Sequence, residues 1–266
     1  MSESVRRAFL AATPATGDHA ELDADESHHV ARVLRLKAGD ALAVFDGKGG
    51  EWEATIEAAS RDRVTIVVGL ARTGEVEPAL RVVVFQALTR PEKIEWVLQK
   101  GTEIGVSAFT LVASRRVEAP PPSPSRLSRY ERIVMEACKQ SRRRVLPALT
   151  LGSLEPPGEG VVAILLAHGA GAGSLGAVLA VPKPKEVWIA VGPEGGFSED
   201  EIAAAVSSGW RRASLGPRVL RTETAGAVAA AIVLHTWGDL GSTPVSRVPP
   251  ETQPSGSASR AFKPSG

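Results

Sequence analysis

Cysteine is nearly missing: Cys138 is the only one in 266 residues. No internal disulfide can form, and a lone thiol suits a reducing compartment. No apolar run approaches the ~20 residues needed to span a bilayer. Arg6 and Arg7 precede only a short apolar stretch before Asp18, Glu21 and Asp23. That argues against a signal peptide and places the chain in the cytoplasm, with no membrane partner. An excess of one charge is missing too. The formal net charge is +1, so any contact with nucleic acid has to be a local patch. There is no P-loop, no H-E-x-x-H and no Ser–His–Asp pattern. His28 and His29 have no further His, Cys or acid at ligand spacing, so no metal is expected. What is present, 43% hydrophobic and 23% charged residues, is the balance of an ordinary globular protein. The length allows one large domain or two smaller ones.

Hydrophobic periodicity divides the chain. "SHHVARVLRLKAGD" (27–40) reads as a short helix ending at Gly39, with Val30, Val33 and Leu34 on one face. Over 41–70, turn clusters at Asp46–Gly50 and Ser60–Asp62 separate short β-rich runs, and Trp52, Ala54 and Ile56 alternate with Glu53, Thr55 and Glu57. This is the pattern of a small antiparallel barrel. The spacing predicts an N-terminal domain over 1–72, a polar linker over 73–79 and a second domain over 80–240. In that second part "LRVVVFQAL" (80–88) is continuously apolar, as in a strand buried on both faces. A helix over 92–106, a strand at 108–113, a helix at 126–143, strands at 161–167, 187–191 and 213–215, and a helix over 224–237 follow. Strands alternating with helices indicate a parallel α/β sheet. The stretch 241–266 is rich in Pro, Ser and Gly and reads as a disordered tail.

"VGPEGGFSEDEI" (191–202) leads from a strand into a helix through a glycine turn. Helix N-terminal amides attract phosphate, yet this turn carries Glu194, followed by Glu199, Asp200 and Glu201. Ser198 and Glu201 form an S-x-x-E capping box with Phe197 and Ile202 at the staple positions, so a favourable helix dipole explains those later acids equally well. Glu194 precedes the cap and points to a neutral or cationic nucleoside-like ligand. "GAGSLG" (171–176) matches G-x-G-x-x-G letter for letter, but only "AVLAV" separates it from Pro182 and Pro184, too short for the crossover helix of a dinucleotide site. "LGPRVLRTETAGAVAAAIVLH" (215–235) opens a helix almost wholly on Ala and Gly. Tight packing accounts for the small residues and leaves Arg221, Thr222 and Thr224 unexplained where ligands of parallel sheets collect.

"GPEGGFSEDEI" and "LGPRVLRTETA" together resemble the paired signature of the SPOUT methyltransferases, specifically the ribosomal RNA small subunit methyltransferase E family. "HHVARVLRLKAGD", "FDGKGGEWEATI", "QKGTEIGV" and "EACKQSRRRVLP" are similar to that family in the same order, so the likeness covers about 5–240. The resemblance implies a C-terminal SPOUT-type parallel α/β sheet with a trefoil knot, a PUA-like N-terminal β-barrel and a homodimer. It implies S-adenosylmethionine as cofactor and methylation of uridine N3 in 16S ribosomal RNA, within the assembled small subunit. The cofactor is then expected against Leu166, His168, Gly192, Pro193, Glu194, Gly195, Leu215, Gly216, Leu220, Arg221, Thr222 and Thr224. A sulfonium nucleoside without phosphate suits an acidic glycine turn.

Nine Arg or Lys (115, 116, 126, 129, 132, 139, 142, 143, 144) stand against three Glu (118, 131, 136) between Arg115 and Arg144. Such an excess can neutralise phosphates. The consecutive Arg142, Arg143 and Arg144 are the stronger RNA candidates, with Arg7, Arg32 and Arg35 a weaker N-terminal group. A guanidinium cannot easily act as a base but can stabilise the anion formed when uridine N3 loses its proton. Arg7 and Arg221 are both candidates, and the sequence leaves the choice open. Two rival readings, a non-catalytic RNA-binding protein and a nicotinamide oxidoreductase using "GAGSLG", are opposed by the intact C-terminal motifs and by the missing crossover helix. Cys138, within a helix and without a partner, reads as a buried structural thiol.

Overall fold

The computed structural model describes residues 6–60, 62–117, 120–169 and 171–241; apart from Gly241, the expected tail lies outside them. β1 (Arg7–Phe9), β2 (His19–Glu21), the short helix α1 (Ala24–His28) and a π-helical turn (His29–Val33) lead to β3 (Ala41–Phe45), β4 (Glu51–Ala59) and β5 (Val64–Ala71). These strands form one sheet in the order β1-β3-β4-β5-β2. Trp52, Ala54 and Ile56 are buried and Glu53, Thr55 and Glu57 exposed, so the period-two pattern of β4 holds. Two details differ from the sequence expectation. β1 pairs parallel with β3, and the helix expected to end at Gly39 starts earlier, at its Asp23 cap, and stops by Leu34.

The rest of the chain runs β6 (Arg81–Ala87), α2 (Pro91–Ile104), β7 (Ala108–Val112), α3 (Pro124–Ser141), β8 (Ala148–Gly152), β9 (Val161–Leu166), β10 (Gly173–Ser174), α4 (Leu175–Val178), β11 (Glu186–Val191), α5 (Glu199–Ser207), β12 (Arg211–Ser214) and α6 (Thr222–Trp237). Its seven strands lie in the order β10-β12-β9-β11-β6-β7-β8, all pairs parallel. β6 shows why its sequence is apolar throughout. Val82 and Val84 join the core under α2, α3 and α6, while Val83 and Phe85 join a second core with Ile202 and Trp210. The small residues that open α6 are explained by the same packing: a Cβ on Gly226 would lie 3.2 Å from Val191 Cγ2. β8, with only β7 beside it at the sheet edge, was not legible in the sequence because its residues are mostly exposed.

The segment 73–79 is held in place. Glu77 accepts from the Arg143 guanidinium at 2.9 Å and from the backbone N–H groups of Arg144 and Val145 at 2.7 and 3.0 Å. Arg144 Nη1 donates to Gly74 O at 2.9 Å.

Candidate active site

β12, β9 and β11 are neighbours and parallel, so the turns that leave them reach the same edge of the sheet. A cavity of about 660 Å³ opens there, a size that accommodates a nucleoside-type ligand. Of the residues the sequence singled out, Leu166, His168, Gly192, Pro193, Glu194, Gly195, Leu215, Leu220, Arg221 and Thr222 line it. Gly216 and Thr224 do not; they lie in the adjoining loop and helix turn. Lys93 and Arg116 line it as well. Both were missed, because they arrive from segments whose sequences carry only helix and loop signals.

Hydrogen bonds tie the glycine turn to its neighbours. The Thr222 hydroxyl donates to Gly192 O at 2.5 Å and accepts from Gln86 Nε2 at 3.1 Å. A Cβ on Gly192 would lie 2.9 Å from the backbone nitrogen of Phe197, so the turn closes only with glycine there. On the other side, Arg116 Nη1 donates to Gly195 O at 2.5 Å, and the Arg115 N–H donates to Glu201 Oε1 at 2.9 Å. The Ser198–Glu201 capping box forms as read, and Phe197 and Ile202 are buried in one cluster. Glu201 therefore caps the helix and also anchors the loop after β7.

Glu194 is already engaged. Its Oε1 accepts from Lys93 Nζ and from the Thr89 hydroxyl, each at 2.7 Å. The Lys93 hydrogen bond, reinforced by Thr89, holds the carboxyl down to about 2 despite its partial burial. Lys93 also lies 3.5 Å from Glu223, and its own affinity for the proton is raised, chiefly by the bond to Glu194. Arg221, at the N-cap of α6, keeps a side chain 83% exposed with its nearest carboxylate, Glu223, 4.0 Å away.

Several expected RNA and catalytic residues are elsewhere. Arg7 is buried, with 7% of its surface exposed. Its guanidinium pairs with Glu51 at 2.8 Å, donates to the carbonyls of Cys138 and Arg143 at 2.8 and 2.9 Å, and lies over the Phe45 ring. Burial lowers its proton affinity in spite of Glu51. Arg143 and Arg144 are buried as well, paired with Glu77 and Glu51 at 2.8 and 3.0 Å. Arg7, Arg143 and Arg144 were expected to face RNA, and Arg7 to take part in catalysis; the structure instead buries all three side chains, which tie the N-terminal sheet, the 73–79 segment, α2 and the end of α3 together. Arg32, Arg35 and Arg142 are exposed. The basic excess between 115 and 144 is largely consumed by acids remote in sequence, with Lys139 on Glu26, Arg129 on Glu95 and Arg132 on Asp25. Cys138 is fully buried, and burial pushes its thiol up to about 11. "GAGSLG" runs into β10 and the four-residue α4, which is no crossover helix. Among the described residues no group of three His, Cys, Asp or Glu is placed to hold a metal ion, and no helix is long and apolar enough to cross a membrane.

Residues 76–234 match the RNA methyltransferase domain, and residues 22–69 match the RNA methyltransferase PUA domain. The chain belongs to the ribosomal RNA small subunit methyltransferase E family. A member from Synechocystis sp. is 35% identical over 77% of this chain and 69% of its own length. The Bacillus subtilis member is 30% identical over 76% of this chain and 84% of its own. Among solved structures, the Neisseria gonorrhoeae ribosomal RNA small subunit methyltransferase E, bound to S-adenosyl methionine, superposes with a TM-score of 0.82 at 28% identity, over 88% of this chain and 99% of that one. A Legionella pneumophila methyltransferase in complex with SAM gives 0.83 at 29% identity, over 89% and 99%. The α/β architecture is thus that of a SPOUT methyltransferase with an N-terminal PUA domain, and the cavity lies within residues 76–234, which match the RNA methyltransferase domain.

Proposed function

We propose that the protein uses S-adenosylmethionine to methylate N3 of a uridine in 16S ribosomal RNA of the small ribosomal subunit, in the cytoplasm. The observation that carries this reading is the convergence of the turns after β9 and β11 and the entrance of α6 on one cavity whose glycine turn is acidic. The residues present fit the cofactor. Leu166, Val191, Leu215 and Leu220 offer apolar wall to a purine, and the peptide groups of the turn offer hydrogen bonds. Glu194 and Glu199 bring negative charge to the turn, and Lys93, Arg116 and Arg221 offset it on the cavity wall. Gly195 leaves room, since a Cβ there would meet only Arg116, at 3.6 Å. When bound, the cofactor supplies an electrophilic methyl group on a sulfonium centre.

This chain's residues have to bring the uracil to that centre and stabilise the negative charge that grows on it as N3 gives up its proton. With Arg7 enclosed, Arg221 is the catalytic candidate. It lines the cavity and is exposed, with the Glu223 carboxylate 4.0 Å away. A permanent guanidinium cation there can donate to the uracil carbonyl oxygens. The exposed Arg32, Arg35 and Arg142 are the RNA contacts we retain.

The homodimer and the trefoil knot belong to the same proposal. Trp96 on α2 and Ile232 on α6, two helices that pack together, leave apolar surface uncovered, which supports an isologous interface on the C-terminal sheet. The deciding experiment is isothermal titration with S-adenosylhomocysteine and with NADH, followed by nucleoside mass spectrometry of 16S RNA from treated small subunits. Binding of S-adenosylhomocysteine and appearance of N3-methyluridine are expected; binding of NADH instead, or of neither, overturns the reading.

A further inference from the structure

Lys93 stands in the first turn of α2, outside every motif that marks the site, yet its ammonium sits between two of the segments that shape the cavity. Nζ lies 2.7 Å from Glu194 Oε1 in the glycine turn and 3.5 Å from Glu223 Oε2 in the first turn of α6. Its side chain is 23% exposed and that of Glu223 14%, so water screens these charges only in part. Glu223 Oε2 is buried and accepts no hydrogen bond from the described residues. Its compensation on that oxygen is the charge of Lys93, while Arg221 stands 4.0 Å from the other.

We propose that Lys93 is a positioning residue of the cofactor site: by bridging Glu194 and Glu223 it holds the glycine turn against the entrance of α6 and so sets the shape and charge of the cavity. The proposal rests on the reading of the cavity as an S-adenosylmethionine site. A turn containing Gly192, Gly195 and Gly196 has little stiffness of its own, so ties from outside decide its form. Thr222 fastens its start and Arg116 its outer side. The Glu194 carboxylate, fixed by Lys93 and Thr89, fastens its middle. Without Lys93, two half-buried carboxylates would be left facing each other, and their repulsion would push the turn and the helix entrance apart.

Charge alone and positioning make opposite demands. Removing a cation leaves the cavity more negative, which by charge alone tightens a sulfonium ligand relative to its neutral thioether product. Loss of positioning weakens both. The test uses the full chain as wild type, Lys93→Met and Lys93→Arg, titrated calorimetrically with S-adenosylmethionine and S-adenosylhomocysteine. Lys93→Met is expected to weaken both ligands about tenfold or more, which corresponds to about 1.4 kcal/mol. Lys93→Arg should recover most of the loss, and any fall in the melting temperature of Lys93→Met should be modest, because the pair is partly exposed. Binding by Lys93→Met should also become pH-dependent between about pH 4 and 6, as Glu194 returns to the ordinary carboxylate range.

Glu223 does not line the cavity, so Glu223→Gln tests the bridge independently if Lys93→Met fails to fold; several-fold weaker binding of both ligands is expected. Wild-type affinity in either variant, or selective tightening of S-adenosylmethionine alone, overturns the positioning role. A wild-type protein that binds neither ligand instead overturns the cofactor reading on which it rests.

Discussion

The Thr222 hydroxyl and the Gly192 carbonyl are joined by a 2.5 Å hydrogen bond that fastens the first turn of α6 to the glycine turn after β11. The same hydroxyl accepts from buried Gln86. Thr222→Val keeps the shape and removes both bonds, taking a donor from the Gly192 carbonyl and one of the two acceptors of Gln86 Nε2. We expect a loss of about 2 kcal/mol in urea unfolding together with weaker binding of S-adenosylhomocysteine, and near-normal behaviour of Thr222→Ser. A valine variant as stable as wild type would show that water replaces the hydroxyl.

Two glycines of the same turn are expected to respond differently. A Cβ at Gly192 meets backbone at 2.9 Å, whereas at Gly195 the nearest atom is Arg116 Cδ at 3.6 Å. Gly192→Ala should therefore lower both the melting temperature and ligand affinity. Gly195→Val should leave melting nearly unchanged and abolish binding by filling the cavity wall. If Gly195→Val binds S-adenosylhomocysteine normally, the ligand does not lie against this turn.

Arg7 and Glu51 form a buried pair within the N-terminal sheet, and Arg7 also donates to the Cys138 carbonyl in α3. Without Arg7, Glu51 keeps Arg144 as a partner, but the carbonyls of Cys138 and Arg143 lose their buried donor, each at a cost of about 1–3 kcal/mol. Arg7→Ala should accordingly lose stability in chemical denaturation, and its activity should fall only in proportion to the unfolded fraction. A normally stable but inactive Arg7→Ala would restore Arg7 as a catalytic residue.

The arginines of the 142–144 run should part company. Arg142→Ala and Arg32→Ala, at exposed positions, should each lower the slope of log affinity for RNA against log salt by about one unit, with stability unchanged. Arg143→Ala should destabilise instead, because Glu77 then loses its cation and the Thr102 and Val106 carbonyls lose a buried donor. Arg142 also sits at φ 65° as the C-cap of α3, so Arg142→Gly should stabilise the fold by about 0.5–1 kcal/mol. Filter binding over a salt series, beside urea melts, separates these outcomes.

Glu194 sets an acid dependence. Its carboxyl titrates at about 2 in the folded protein against an ordinary 4.5. Its contribution to stability is therefore present above about pH 4.5 and is lost as the pH falls toward 2. In acid unfolding, Glu194→Gln should be less stable than wild type at neutral pH and converge with it at the acid end. The difference should be modest, because the side chain is 45% exposed. Parallel curves at all pH values would mean that the Lys93–Glu194 bond adds nothing in water.

The sequence by itself determined whatever depends on neighbours along the chain. The Ser198–Glu201 capping box, the alternation of Trp52, Ala54 and Ile56, and the apolar run of β6 are properties of periodicity and local hydrogen bonding, and each stands where it was read. Glycine turns after parallel strands also announced most of the cavity lining, since their geometry is local and the sheet gathers them at one edge. Only the tertiary structure decided where charge goes. Arg7, Arg143 and Arg144 look like RNA contacts in a linear count of charges, but Glu51 and Glu77 lie far from them in sequence and neutralise them inside the protein. The tie between Lys93 and Glu194 was hidden for the same reason: their hydrogen bond joins the first turn of α2 to the turn after β11, 101 residues further along the chain. Coulomb attraction depends on distance through space, and the fold alone sets that distance.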